Sequence, residues 1–466
     1  MIRESLPARG GSRFFIPPSL TRASNILFIP LDFNPASFMR ESARFKFENL
    51  SVIKSRLFHW AAMQQQVSYL DSNEHRPAFC AHSWELLIGA GSVQTLAHYA
   101  GTAFEQLKTH QSNAQDWLFG VFSYDLKNEV EQLTSQHPDG VGFPDICFFQ
   151  PQIVIGIRHG RLEVEIHALG LNPANIWDEV MAIKEPALND ASVPVHLHSR
   201  VQYGAYLSAL EAIRSHIVEG DLYEMNYCQE FFAENTRINP KAVWLKLNTL
   251  SRAPMAAYFR WNDLYLLCAS PERFIKKEGN RLMSQPIKGT RKRAGALDEE
   301  AKQSLAVSEK DRAENVMIVD LTRNDLARSC MPGSVQVDEL FGVYTFETVH
   351  QMISTVSGRL RPGIDPIDAF RAAFPPGSMT GAPKVMAMEL IEKYEVARRG
   401  IYSGALGYFD PNGDFDFNVV IRSILYNASN AYVSAQVGGA IVFDSVAESE
   451  YEECLVKAAA LFKALE

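Results

Sequence analysis

A chain of 466 residues is longer than one ordinary core organises, and its 47% hydrophobic and 21% charged residues, with 28 Gly and 23 Pro, exclude disorder, collagen and coiled coil as dominant states. The formal charge of −9 argues against a general nucleic-acid or anionic-membrane binder, which needs a basic face, while leaving room for a local basic site. Six cysteines (Cys80, Cys147, Cys228, Cys268, Cys330 and Cys454) are scattered without a Cys-x-x-Cys pair and read as reduced thiols of a cytoplasmic protein, with no zinc or disulfide framework.

Residues 1–38 carry Arg3, Arg9, Arg13 and Arg22 against Glu4 and Asp32, and show neither helical nor strand period. They read as a disordered extension, an upstream start with Met39 as the alternative, or a targeting segment, and no function is expected of them. From Met39 to Ile183 short apolar runs alternate with turn clusters, as at 117–124 and 146–157; the second is followed by Arg158-His-Gly-Arg161 and 162–168, a hairpin pattern. The polar, proline-bearing stretch 184–200 predicts a boundary between an N-terminal region, 39–185, and a second domain, 200–466.

Past that boundary, 203–218 has helical spacing and ends at Glu219-Gly220, ahead of an extended run at 223–232. Strand runs recur at 256–261 and 264–270, and helical patterns at 299–327 and 383–397. Residues 402–409, 415–426 and 431–437, separated by turns at 410–413 and 427–430, predict a three-strand meander. The uncharged stretch 423–443 contains Asn427, Ser429, Asn430, Ser434 and Gln436 and reads as strands, not as a membrane span. A last helix places Tyr451, Cys454, Leu455, Ala458, Leu461, Phe462 and Leu465 on one face. Strands and helices mix without strict alternation, so the class is α+β.

Two acidic pairs, Asp311 with Glu314 and Glu450 with Glu453, each share one helical face at a spacing where like charges repel. Solvated surface helices carry such pairs routinely; the alternative is a hard divalent ion such as Mg2+, which takes carboxylates and leaves positions open for substrate oxygens. Lys288, between a strand end and the Gly289-Thr290 turn, either begins a solvated basic loop with Arg291-Lys-Arg293 or is a nucleophilic amine. The loop 373–384 runs into a helix and is either a plain turn or an anion holder; it lacks the Gly-x4-Gly-Lys-Ser/Thr phosphate-loop pattern.

Five segments together carry a resemblance: Ser270-Pro-Glu-Arg-Phe274, Pro286-Ile-Lys-Gly-Thr290, the run from Glu314 to Asp325, Phe374-Pro-Pro-Gly-Ser-Met-Thr-Gly-Ala-Pro-Lys384, and the run from Arg399 to Tyr408. In this order they resemble the motifs of the chorismate-utilising enzymes, the family of anthranilate, aminodeoxychorismate, isochorismate and salicylate synthases. The resemblance is close over about 200–466 and looser over 39–185. It implies antiparallel sheets packed as a sandwich with helices outside. Within the family, Pro-Ile-Lys-Gly-Thr is similar to the aminodeoxychorismate-forming branch; anthranilate synthases usually carry alanine at the lysine position.

That resemblance implies conversion of chorismate and ammonia to 4-amino-4-deoxychorismate, on the way to 4-aminobenzoate and folate. Lys288 would add to C2 of chorismate, and Glu272 would be the general acid for the leaving C4 hydroxyl. Asp311, Glu314, Glu450 and Glu453 would hold Mg2+, with Asp311, one methylene shorter than the usual Glu, reaching it through water. Arg422, Ser378 and the Gly438-Gly439 backbone would bind a substrate carboxylate, with Thr290, His350, Tyr402 and Lys384 also at the site. Ser72, in Tyr69-Leu-Asp-Ser72, falls where the family has a tryptophan pocket. No cysteine sits in a Gly-x-Cys-x-Gly setting, so a separate glutamine amidotransferase subunit is the expected partner. Two other readings remain open: anthranilate synthase component I, and a non-catalytic chorismate-binding paralogue.

Overall fold

A near-continuous apolar run such as Met255–Trp261 gives a strand that is buried on both faces. In the computed structural model, which describes residues 39–76, 84–184 and 194–466, such strands form two antiparallel sheets, one of 12 strands and one of 10. The extension read at 1–38 and Cys80 lie outside the described residues.

Three apolar layers follow, because successive side chains of a strand point to opposite faces. Ala257 and Phe259 of Met255–Trp261 and Leu87 of Trp84–Ala90 meet Phe119, Val121 and Leu406 of the other sheet in the sandwich interior. Tyr258, Leu86 and Ile88 point the opposite way, into a layer closed by the helices Leu50–Ala61, Tyr203–Glu219, Pro240–Ser251 and Ala447–Leu465. The outer face of the 10-stranded sheet is closed by Ala103–Ala114, Glu309–Ala327 and Pro366–Ala373. The α+β sandwich with outer helices is the expected one. No helix among the described residues is long and apolar enough to cross a membrane.

The stretch 184–200 does not divide the fold. Gln66–Asp71 pairs with Met255–Trp261 in one sheet, Leu118–Phe122 pairs with Ala405–Phe409 in the other, and Met39–Glu466 is one unit. A polar composition marks an exposed connection, and the pairing of strands across it is not visible in local pattern.

Three elements differ from expectation, each at a place where the chain turns from one sheet or axis to another. The run 146–157 breaks at Pro151 into Ile146–Gln150 and Ile153–Arg158, which lie in different sheets; only the second forms the expected hairpin, with Glu163–Ala168. The helix over 299–327 is two helices, Asp298–Val307 and Glu309–Ala327, because Ser308 is extended and its hydroxyl caps the amide of Asp311. The meander over 402–437 is two hairpins: Ala405–Phe409 with Phe415–Val419 in the 10-stranded sheet, and Ser423–Asn427 with Tyr432–Ile441 in the 12-stranded sheet. The crossing between them passes through Arg422 in the left-handed region, φ 52°. The last helix and the Gly220 stop after Tyr203–Glu219 are as read.

The inter-sheet layer predicts its own test. Phe259, fully buried there, should cost about 3–5 kcal/mol on replacement by alanine. Urea denaturation of Phe259→Ala measures it.

Candidate active site

Two neighbouring strand connections change sheet side by side. The first leaves Leu264–Ser270 of the 12-stranded sheet and enters Arg273–Glu278 of the 10-stranded sheet, with Glu272 at the crossing. The second runs from Phe415–Val419 to Ser423–Asn427, with Arg422 at the crossing. They are tied to one another: Val419 N donates to Glu272 O at 3.0 Å and Ala269 N to Arg422 O at 3.1 Å. An acid and a guanidinium are thereby fixed by backbone at one end of the sandwich.

Glu272 is 5% exposed, and burial pushes its carboxyl up to about 7 against the opposing pull of the Ser378 hydroxyl, Lys288 and the Ile287 amide. A carboxyl in that range can be held protonated near neutrality, as a general acid requires. Its neighbour Arg273 is occupied by Asp416 at 2.8 Å and Gln285 at 2.6 Å.

Lys288 projects from the edge strand Ile287–Lys292, beside a register shift where Gly289 has φ +88°. Its Nζ lies 2.5 Å from Glu224 Oε1. Burial pulls the amine down, but Glu224, Glu314 and Glu272 outweigh it and leave it above the ordinary lysine range. Arg291 and its basic neighbours do not depress it, because Arg291 pairs with Asp311 at 2.6 Å. Lys288 is therefore a buried amine among carboxylates, not the start of a solvated loop.

Glu224 escaped the sequence reading. A lone acid opening the apolar strand Glu224–Ala233 was the available signal, since an ionisable group at 1% exposure needs a partner. Nor did the sequence suggest the packed network of Arg399 with Glu395 (2.6 Å) and the carbonyls of Asn226 and Met379, which anchors the loop under the site.

The other expected residues fall into two groups. Arg422 makes no ion pair or hydrogen bond from its guanidinium within the described residues, has Tyr402 and Glu453 as electrostatic neighbours, and is free to take a carboxylate. Ser378 reaches Glu272, and Tyr402 is buried with its hydroxyl 3.7 Å from Cys228 Sγ. Gly438 leaves no room for a Cβ, which would stand 2.4 Å from Cys228 Sγ; a Cβ on Gly439 would stand 3.2 Å from Glu450 Oε2. Less suited are Thr290, which is exposed, and His350, whose ring faces Thr345 at 3.0 Å and Asp298 at 3.5 Å. Lys384 is a buried structural lysine, held by Asp325 at 2.9 Å and Ala373 O at 2.8 Å. Ser72 donates to Glu85 at 2.9 Å and lines a separate cavity of about 300 Å3 with Leu70, Trp84, Met255 and Ile287.

Do the four acidic residues suit Mg2+? Glu314, Glu450 and Glu453 all feel the same cation, Lys310, and so face a common region. Burial pushes Glu314 up to about 6 and raises Glu450; for Glu453, Lys457 at 2.7 Å and Lys310 outweigh burial and keep it low. Mutually repelling oxygen donors compensated by lysines are what a hard divalent ion stabilises. Among the described residues no three of the four carboxylates lie within 4.8 Å of one another, and Asp311 is engaged by Arg291. Glu314, Glu450 and Glu453 thus surround one cation without converging on a single point, and Asp311, paired with Arg291, stands apart from them.

Comparison with known proteins matches this architecture. The model of the family described as chorismate binding enzyme aligns with residues 62–463. The chain belongs to that family. It is 36% identical to aminodeoxychorismate synthase component 1 of Escherichia coli, over 76% of this chain and 77% of that protein. It is also 36% identical to the chloroplastic aminodeoxychorismate synthase of Arabidopsis thaliana, over 72% of this chain but only 39% of that longer protein. Among solved structures, anthranilate synthase component I from Streptococcus pneumoniae superposes with a TM-score of 0.71 at 25% identity, covering 83% of this chain and 93% of that one.

The raised Glu272 carboxyl gives a stability prediction with a definite sign. A folded value near 7 against 4.5 unfolded means the native state binds the extra proton, so Glu272 contributes a loss of stability as pH rises from about 4.5 to 7. Glu272→Gln should remove that loss, so that on going from pH 5 to pH 8 the variant gains on wild type by on the order of 3 kcal/mol, read by denaturant unfolding.

Proposed function

We propose that the chain is the large subunit of an aminodeoxychorismate synthase, forming 4-amino-4-deoxychorismate from chorismate and ammonia. The observation that carries this is the buried Lys288 amine in the electrostatic field of Glu272, whose carboxyl is held near neutrality. An amine and an acid in one desolvated place support a two-displacement route. Lys288, as the free amine, adds to C2 while Glu272 protonates the C4 hydroxyl, which leaves as water. Ammonia then adds at C4, and the bond from C2 to Lys288 breaks.

Arg422 is the cation best placed for a chorismate carboxylate. Glu314, Glu450 and Glu453, with Asp311 in support, would hold Mg2+, which supplies charge neutralisation for a second carboxylate. A glutamine amidotransferase subunit would supply ammonia, and the product would feed 4-aminobenzoate and folate synthesis in the cytoplasm. The cavity beside Ser72 is the place for the tryptophan that the family resemblance suggests.

Purified protein given chorismate, Mg2+ and ammonium at alkaline pH should form 4-amino-4-deoxychorismate, identified by chromatography, and glutamine alone should not replace ammonium. Lys288→Ala should lose most of this product. Formation of the 2-amino isomer by wild type would make the chain an anthranilate-type enzyme. No turnover at all would leave it a chorismate-binding paralogue. Glu314→Ala or Glu453→Ala should abolish turnover while retaining the fold, since each relieves repulsion within its pair.

A further inference from the structure

The proposed chemistry leaves one buried acid without a task. Glu224 is 1% exposed, reaches from the 12-stranded sheet to Lys288 on the 10-stranded sheet at 2.5 Å, and keeps its second oxygen, Oε2, without a hydrogen-bond partner. A clip between sheets does not require such a group, because well-packed apolar residues in place of a buried ion pair are often neutral or stabilising.

The strand carrying Glu224 is fixed at the same point. Tyr223 N donates to Ala382 O at 2.7 Å, Asn226 N to Thr380 O at 2.7 Å, and Asn226 Nδ2 to Ser378 O at 3.3 Å. A Cβ at Gly381, φ +158°, would stand 2.1 Å from the Glu224 carbonyl oxygen, so only glycine lets loop and strand meet this closely. One strand therefore controls both partners: it holds Lys288 through Glu224, and it holds the loop whose Ser378 hydroxyl reaches Glu272.

We propose that Glu224 is the positioning residue of the nucleophile, its carboxylate fixing the Lys288 amine in register with the acid at Glu272. The inference rests on the reading of Lys288 as the nucleophile. The charged groups facing that amine come from four elements: Glu224 on its strand, Glu272 at the sheet crossing, Glu314 on the helix Glu309–Ala327 and Glu453 on the last helix.

Two variants separate positioning from a structural clip. Glu224→Gln keeps an acceptor oxygen and loses the charge, whereas Glu224→Ala loses both. With chorismate, Mg2+ and ammonium, Glu224→Ala should lose about 100-fold in kcat with KM little changed, while Glu224→Gln stays within about 10-fold of wild type. Labelling of the Lys288 amine by acetic anhydride over a pH series, without substrate, should set in at lower pH in Glu224→Gln, because an anion that holds the proton has gone. The assignment is overturned if Glu224→Ala matches wild type, if Glu224→Gln falls as far as Glu224→Ala, or if the labelling profile does not move. Should Glu224→Ala fail to fold, Glu224→Gln decides alone: retained turnover with a shifted profile supports the assignment, and any other result overturns it. A wild type that makes no 4-amino product overturns the functional reading instead, and the labelling series then decides on Glu224.

Discussion

An ammonium from one sheet and a carboxylate from the other meet where the edges of the sandwich close, and the rest of the site is arranged around that pair. Taking two such ions out of water costs several kcal/mol each, and their attraction offsets it only if the geometry is held tightly. The Lys288–Glu224 contact at 2.5 Å meets that condition because Glu224 leaves a strand packed into an apolar layer through Met225 and Tyr227, and Lys288 leaves a strand hydrogen-bonded to Val349–Arg359. The sandwich thus does more than enclose a pocket: it fixes the separation between a lysine on one sheet and the acids that surround it from three other elements.

Electrostatics make Lys288 and Glu272 a single unit. In the proposed reaction Lys288 loses a proton to attack and Glu272 supplies one to the leaving hydroxyl, so the competent state holds one proton between the two. The same net protonation describes the resting pair, an ammonium facing a carboxylate, and the proton that leaves one is the proton needed on the other. Burial, which raises Glu272 to about 7, favours the form with the proton on the carboxyl, while the carboxylates around Lys288 favour the ammonium. A solvated lysine and a solvated glutamate are separated by about six pKa units.

Much of this was legible in the sequence, and the limits of legibility are physical. Strands and helices mixing without strict alternation indicated the α+β class, and the roles expected of Glu272, Lys288 and Glu314 came from the family resemblance of the motifs around them. Local pattern did not show where strands change sheet, since a strand leaving one sheet for another keeps its apolar alternation; hence the missed breaks at Pro151 and Arg422. Those crossings are the very places that carry Glu272 and Arg422. Glu224 stood out only as a lone acid opening an apolar strand, and its partner, 64 residues away, could not be read from local pattern. Lys384 and Asp311 were expected at the site from the family resemblance, yet one is satisfied by Asp325 and Ala373, and the other is engaged by Arg291.

The central claim is that Lys288 bonds to substrate carbon. Wild-type protein quenched during turnover with chorismate and Mg2+, digested and examined by mass spectrometry, should yield a peptide containing Lys288 that carries a chorismate-derived adduct, absent from Lys288→Ala. Full 4-amino activity without such an adduct, or with Lys288 replaced by alanine, would contradict the account and reduce Lys288 to an ion-pair partner of Glu224.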